Sequence, residues 1–343
     1  MAQADPNKLK KTQEIGSQDI LFSVVLVPGS ERLIFASSDF KVHEIDVSEK
    51  KPEPKAFEGD GHQSYVTSLV SSVGGIVSGS YDGHLIWWNA EDKKLTRKVA
   101  AHVGGIRALA VSPDGKTIAS VADDMVCKLW DAESGKEIRS VTDHKPTTPN
   151  NYPSMLYAVA FSPDGNLLAT GDKVGHTAIW DVGSGEKVGE LETPVLYTWD
   201  PRQRRHSIGG IRSLAFSPDS KQLAVGGIGK IGNIDHLGGP SRVEIFEWQT
   251  QKRLHEIEDN KFKGLVEQLT FHPKSEWLLA VGGDNAGFIT FYDPKTGKAI
   301  NQEKSPMHVH SAVFSADLTK LYTVGHNKIA LWELKEESGA TAG

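Results

Sequence analysis

The chain has 343 residues, 38% of them apolar and 24% charged, with 38 basic against 44 acidic side chains. That length supports a large core, in two ordinary domains or one repetitive one, and the slightly acidic balance supplies no general field for a nucleic-acid backbone. A single cysteine, Cys127, excludes a disulfide within the chain; with no apolar run approaching 18 residues and no signal-like start, a soluble, cytoplasmic protein is expected.

Residues 1–7 are polar and expected to be disordered, and Lys8 to Ile15 alternates weakly. From Ile20 to about Phe57 a first β-rich unit carries Val27-Pro28-Gly29-Ser30 at its first turn. A second follows Gly61-His62 and holds Val77-Ser78-Gly79-Ser80, Asp82-Gly83 and Trp87-Trp88. The third, His102 to Asp131, is the clearest. Ile106 to Val111, Thr117 to Val121 and Val126 to Asp131 are short β-branched and apolar runs, separated by Ser112-Pro113-Asp114-Gly115 and by Asp123-Asp124. This pattern predicts three antiparallel strands, with a fourth at Glu137 to Val141 after the Ser134-Gly135-Lys136 turn. Cys127, in the third run beside Trp130, is expected to be a buried core thiol.

The template recurs at Ala160 to Asp181, Ala215 to Phe246, Leu269 to Asp293 and Ala312 to Trp332. Third strands end at Ile45, Trp88, Trp130, Trp180, Phe246, Tyr292 and Trp332, so seven units follow one another at intervals of 43, 42, 50, 66, 46 and 40 residues. A four-stranded propeller blade takes about 40 to 45 residues. The last unit lacks a fourth strand, and 335–343 reads as a disordered tail. A circular array with an open edge invites aggregation, so the strand around Lys10 to Ile15 is expected to close the ring as the outer strand of the seventh blade.

These repeats resemble the WD-repeat (WD-40) β-propeller family, with Ser-Pro-Asp-Gly turns similar to those of bacterial members. The resemblance spans about Leu9 to Leu334 and implies an all-β, seven-bladed β-propeller of four-stranded antiparallel blades over residues 8–334. It also implies two structural tetrads, His62, Ser78, Asp82 and Trp88, and His102, Ser120, Asp124 and Trp130, each a buried hydrogen-bonded chain. Blade four retains His144, Thr170 and Trp180, but Asp172 sits two residues early, out of register for that chain. Ser, His and Asp in such sets resemble a hydrolase triad, but they recur blade by blade without a strained nucleophile turn and read as structural.

Three insertions interrupt the rhythm: Lys145 to Ser154, Thr193 to Gly209 and Ile228 to Pro240. In an antiparallel meander the loop between blades and the loop between strands two and three emerge at one end, so all three stand on one face, where binding loops are expected. The second carries Tyr197, Trp199, Arg202, Arg204 and Arg205, a short set with nucleic-acid-like chemistry; in an acidic chain a nucleic-acid partner is not expected.

The residue after the first aliphatic of each innermost strand is Phe22, Thr67, Arg107, Tyr157, Arg212, Glu267 and His310 in turn. These are expected to ring the channel mouth on the insertion face and to bind an acidic or aromatic peptide, unless Glu267 neutralises Arg212. His308 and His310 share one strand face, but the sequence nominates no further zinc ligands beyond scattered residues such as Asp235 and His236, so neither a metal nor any other cofactor is expected. The reading is a non-catalytic protein-interaction scaffold without a membrane partner, monomeric by default. The alternative is a hydrolase or lyase built on Tyr157, Arg212, Glu267 and His310.

Overall fold

The computed structural model describes residues 4–200, 206–232 and 237–335. Local turn chemistry sets the strand register. The Ser112 hydroxyl donates to Asp114 Oδ1 (2.6 Å) and accepts from the Thr117 amide (2.9 Å), while Asp114 also takes the Lys116 amide (3.0 Å). Gly115, at φ +74°, completes the turn in the left-handed region that glycine adopts without a steric penalty. Equivalent bonds form at Ser162, Ser217 and Ser315. One motif thus launches the second strand in four places.

Among the described residues the strands form five four-stranded antiparallel sheets, one six-stranded sheet and a hairpin of Tyr197–Asp200 with His206–Gly209. Helical structure among them is limited to 3-10 turns at Pro6–Lys8 and Pro194–Leu196. Each four-stranded sheet keeps chain order from inner to outer edge, as in Val66–Ser72, Gly75–Ser80, His84–Trp88 and Leu95–Ala100. Second strands are covered on both faces. Ile118 and Ala122 pack on Val77 and Trp87 of the preceding sheet, and Ala119 and Val121 pack on Leu156 and Leu168 of the next. Hence Thr117–Ala122 reads as a nearly continuous apolar run, whereas the outer strand Glu137–Val141 is largely exposed.

Glycine lets these sheets close together. A Cβ on Gly79 or Gly171 would stand 2.8 or 2.7 Å from Ile106 Cγ2 or Ile211 Cγ2 of the following inner segment. Each aliphatic is fully buried over the bare backbone. Burying such a side chain contributes about 1.5–3 kcal/mol.

The count of seven separate sheets requires correction, because six sheets of four or more strands form. Strand continuity is the reason. Lys10–Leu26 is a single 17-residue strand that pairs with Lys328–Glu333 through Lys10–Gly16 and with Arg32–Ser37 through Leu21–Leu26. Lys320–Glu333 is likewise continuous and pairs with Val309–Phe314 through its first half. The first and last sequence units therefore share one hydrogen-bonded sheet.

Of the segment expected to be disordered at 1–7, residues 1–3 lie outside the described residues, whereas Pro6–Lys8 is an ordered turn. The Asp5 amide donates to Leu334 O (2.8 Å), the Asp5 side chain caps the turn, and Asn301 Nδ2 donates to Pro6 O (2.7 Å). Residues 336–343 of the expected carboxy-terminal tail lie outside the described residues.

Candidate functional site

Buried hydrogen-bonded chains brace three sheets. His62 Nε2 lies 2.7 Å from Ser78 Oγ, Trp88 Nε1 donates to the same oxygen (2.8 Å), and His62 Nδ1 lies 3.1 Å from Asp82 Oδ2. His102, Ser120, Trp130 and Asp124 repeat this geometry at 2.7, 2.8 and 3.0 Å. His144, Thr170, Trp180 and Asp172 make a third chain at 2.8, 3.0 and 3.0 Å. Asp172 reaches His144 although it is out of register. It sits on the strand instead of in the turn, and its carboxylate still accepts the Val174 and His176 amides beside the ring. Each arrangement has the outline of a catalytic triad, but Ser78 and Ser120 are wholly buried and their oxygens already accept a tryptophan N–H. No substrate can reach them.

The seven aligned residues Phe22, Thr67, Arg107, Tyr157, Arg212, Glu267 and His310 all line one cavity of about 430 Å³. Each contributes with the two residues that follow it, so seven inner segments surround the space. Their inward direction has a local cause. In six of the seven inner segments the strand register slips at this residue, between Leu21 and Ser23, Val66 and Ser68, Ile106 and Ala108, Leu156 and Ala158, Val266 and Gln268, and Val309 and Ser311. The skipped residue is a β-bulge, which re-aims a side chain without ending the strand.

One sector of this ring is cationic. Arg107 grips Asp123 through Nε and Nη2 (2.6 and 2.8 Å) and donates from Nη1 to Tyr81 Oη (2.5 Å). Arg212 lies over the Tyr157 ring at 4.0 Å, and its buried Nε has no hydrogen-bond partner among the described residues. Lys173 is 7% exposed; burial, then the charges of Arg212 and Arg107, weaken its hold on its proton. Beside this sector runs an aromatic arc. Tyr65 stands 5.6, 5.9 and 6.1 Å from Phe40, Phe22 and Tyr81, and Phe40, Tyr65 and Tyr81 are 41, 43 and 38% exposed.

Glu267 and His310 lie elsewhere on the rim. Burial opposes ionisation of Glu267, but the His308 hydrogen bond and the charges of Arg212, His310 and His308 outweigh it and hold the carboxyl at about 2. Its hydrogen-bond partner is His308 Nε2 (3.2 Å), not Arg212. Burial, reinforced by His308, His326 and Arg212 against the pull of Glu267, holds the His310 ring at about 4. The hydrolase or lyase alternative therefore finds no support: Glu267 is too acidic to serve as a general acid near neutrality, and Tyr157 Oη donates to Met155 Sδ (2.9 Å).

The three insertions meet on one face. Tyr152 packs on Trp199 (5.1 Å), Tyr197 Oη donates to Asn150 Oδ1 (2.8 Å), and the Ile231 amide donates to Thr198 Oγ1 (3.2 Å). Ile228 and Ile231 share an apolar cluster with Leu265, flanked by Ile208 and Leu237. Tyr197 and Trp199 thus join insertion to insertion. Arg202, Arg204 and Arg205, with Asp235 and His236, lie outside the described residues.

Sequence reasoning missed Tyr81, Asp123, Lys173 and His326. A common signal marks them. Tyr81, Asp123 and Lys173 directly follow a second strand and His326 stands at the matching register within Lys320–Glu333; each amide donates to the residue leading into the inner strand, at Tyr65, Gly105, Met155 and His308 O. The register that singled out the first ring also yields this second one.

Four stretches of the chain, 55–89, 93–131, 135–182 and 200–230, match the WD domain, G-beta repeat, family. The protein carries WD repeats, and its antiparallel four-stranded sheets are the blades of a β-propeller. In sequence it is similar to "Small ribosomal subunit protein RACK1y" of Oryza sativa subsp. japonica, 40% identical over 82 residues that make up 23% of this chain and 24% of that protein. It is also similar to "DDB1- and CUL4-associated factor 13" of Danio rerio, 33% identical over 78 residues, or 22% of this chain and 18% of the relative. A third relative, "Superkiller complex protein 8" of Dictyostelium discoideum, is 39% identical over 67 residues, 19% of this chain and 22% of its own. The matched stretch thus spans less than a quarter of each of these relatives.

Proposed function

We propose that this protein is a non-catalytic interaction scaffold that receives a carboxylate-bearing segment of a protein partner at the channel mouth. Arg212 carries the reading: its Nε is buried, it has no hydrogen-bond partner among the described residues, and Lys173 and Arg107 stand close enough for their charges to act together. Cations crowded in a desolvated sector repel one another. An incoming carboxylate supplies the missing acceptor and relieves the repulsion. Phe40, Tyr65 and Tyr81 beside it are aromatic anchors of the kind that dominate interface energetics. The insertions add a rigid shelf on which a longer partner can lie with little ordering cost.

The same reading takes the six-stranded sheet as two blades sharing Lys10–Leu26, giving seven blades with the amino-terminal segment closing the ring over residues 8–334. The seven inner segments around the cavity and the Lys10–Gly16 pairing support it. Two relatives bear names that place them in assemblies, one in the small ribosomal subunit and one associated with DDB1 and CUL4. We extend to this chain only the general role of holding a protein partner, in a cytoplasmic setting.

The test compares immobilised native protein with Arg212→Glu and with Arg107→Met/Arg212→Met in capture from a lysate of the source cells. A partner held by the native protein, released by a free glutamate-rich peptide and lost from both variants is the expected result. The same partners on all three proteins overturn the reading.

A further inference from the structure

We propose that Glu267, His308 and His310 form a binding site for a single divalent transition-metal ion of the zinc type at the rim of the channel. Their candidate ligand atoms lie within 4.8 Å of one another. Glu267 comes from the bulge of Leu265–Phe271, whereas His308 immediately precedes, and His310 lies in, the next inner strand, Val309–Phe314. The bulge between Val309 and Ser311 lets the two rings stack at 4.6 Å. Two imidazoles and a carboxylate are a donor set that zinc uses when it keeps a coordination position open. Magnesium and calcium favour all-oxygen shells.

His308 Nδ1 faces the Asp284 carbonyl at 3.1 Å, an acceptor that fixes the ring with its proton on Nδ1. Its Nε2 faces Glu267 Oε1, 3.2 Å away. A cation joins two atoms so placed, and a metal ion there displaces the Nε2 proton. His310 presents the third donor: its Nε2 is buried and has no hydrogen-bond partner among the described residues. One metal ion satisfies all three atoms. Glu267 and His310 line the central cavity, so the open coordination side faces it.

A second group, Asp143, His176 and Glu190, has similar composition but is already satisfied. His176 meets Asp143 and Glu192 at 2.9 and 2.6 Å, and Lys187 Nζ sits 2.9 Å from both Asp143 and Glu190. It serves as the internal control. The sequence alone offered the histidine pair with only scattered further candidates such as Asp235 and His236, because Glu267 lies 41 residues from His308.

The experiment titrates the chelator-treated full chain with zinc by calorimetry near pH 7.5, repeated with cobalt(II) to read its visible absorption. Uptake of one ion per chain is expected. Glu267→Gln and His310→Gln each weaken it by more than about 100-fold, the upper end of what losing a mere outer-shell partner costs, while His176→Gln leaves it unchanged. Arg212→Met, which removes the nearby opposing charge, tightens metal binding even as it weakens an acidic partner. The titration contains no partner, so its outcome is separate from the scaffold reading. Absence of stoichiometric uptake by the native chain overturns the proposal whichever variants fold, and makes the cluster an ion pair between protonated His308 and Glu267. Uptake that survives both ligand substitutions, or disappears with His176→Gln, also overturns it.

Discussion

The guanidinium carbon of Arg212 lies 4.0 Å from the centre of the Tyr157 ring, and that of Arg107 approaches the same ring at 5.3 Å. The two arginines share an aromatic but differ in what holds them. Arg107 has both oxygens of Asp123, whereas Arg212 Nε has no acceptor among the described residues.

That difference predicts opposite effects of the same substitution. Arg107→Met leaves Asp123 unpaired and lowers stability, by about 1–3 kcal/mol. Arg212→Met leaves the melting temperature unchanged or slightly raised, and lowers partner affinity at least tenfold. Thermal unfolding of the two variants, with binding measured beside it, checks both statements.

Acid sensitivity follows from the buried chains. Burial raises the Asp82 carboxyl, but hydrogen bonds from His62, Gln63 and His84, with the His62 charge, bring it well below the usual carboxylate range; Asp124 is lowered likewise by His102 and the Val126 and Val103 amides. Burial also lowers His62, against the pull of Asp82. All three folded values are depressed, so their stabilisation is complete above the unfolded values and drains as pH falls. The melting temperature should hold near pH 7, decline below about 6.5 and fall more steeply below about 4. Asp82→Asn should cost about 1–3 kcal/mol at pH 7 and flatten the acid decline. An unchanged acid slope contradicts this assignment.

Removing residues 1–16 strips the strand that pairs with Lys328–Glu333 and exposes that edge. The truncated protein should melt at lower temperature and associate through the bared strand. Light scattering on heating, compared with the native chain, reads both effects; a monodisperse protein of native stability contradicts them.

Gly171→Ala places a methyl 2.7 Å from Ile211 Cγ2 and 3.1 Å from Ile211 Cβ in a contact between sheets. Overpacking of this kind costs about 1–3 kcal/mol. The paired change Gly171→Ala with Ile211→Val should recover part of the loss in urea unfolding.

Much of this fold is legible because the chain repeats. Ser-Pro-Asp-Gly turns and tryptophan-ended strands mark the units, and alignment alone brings Phe22, Arg107, Tyr157, Arg212, Glu267 and His310 to one cavity. What stayed hidden depends on backbone continuity and on contacts across sheets. Nothing local announces that Lys10–Leu26 runs unbroken between two pairings. Nor does spacing show Lys173 joining Arg107 and Arg212, because their elements meet only when the sheets stand side by side. Asp172 is instructive for the same reason: register placed it outside the hydrogen-bonded chain, yet a carboxylate on the strand reaches the same histidine nitrogen as one in the turn.

We propose that the channel mouth selects a carboxylate-bearing segment. Selection of a random peptide library on the immobilised native chain, counter-selected against Arg212→Glu, tests it most directly. Enrichment of sequences in which Asp or Glu stands beside an aromatic or aliphatic residue, with binding lost on Arg212→Glu, is the predicted result. Enrichment of neutral or basic sequences, or of peptides that bind both proteins equally, contradicts it.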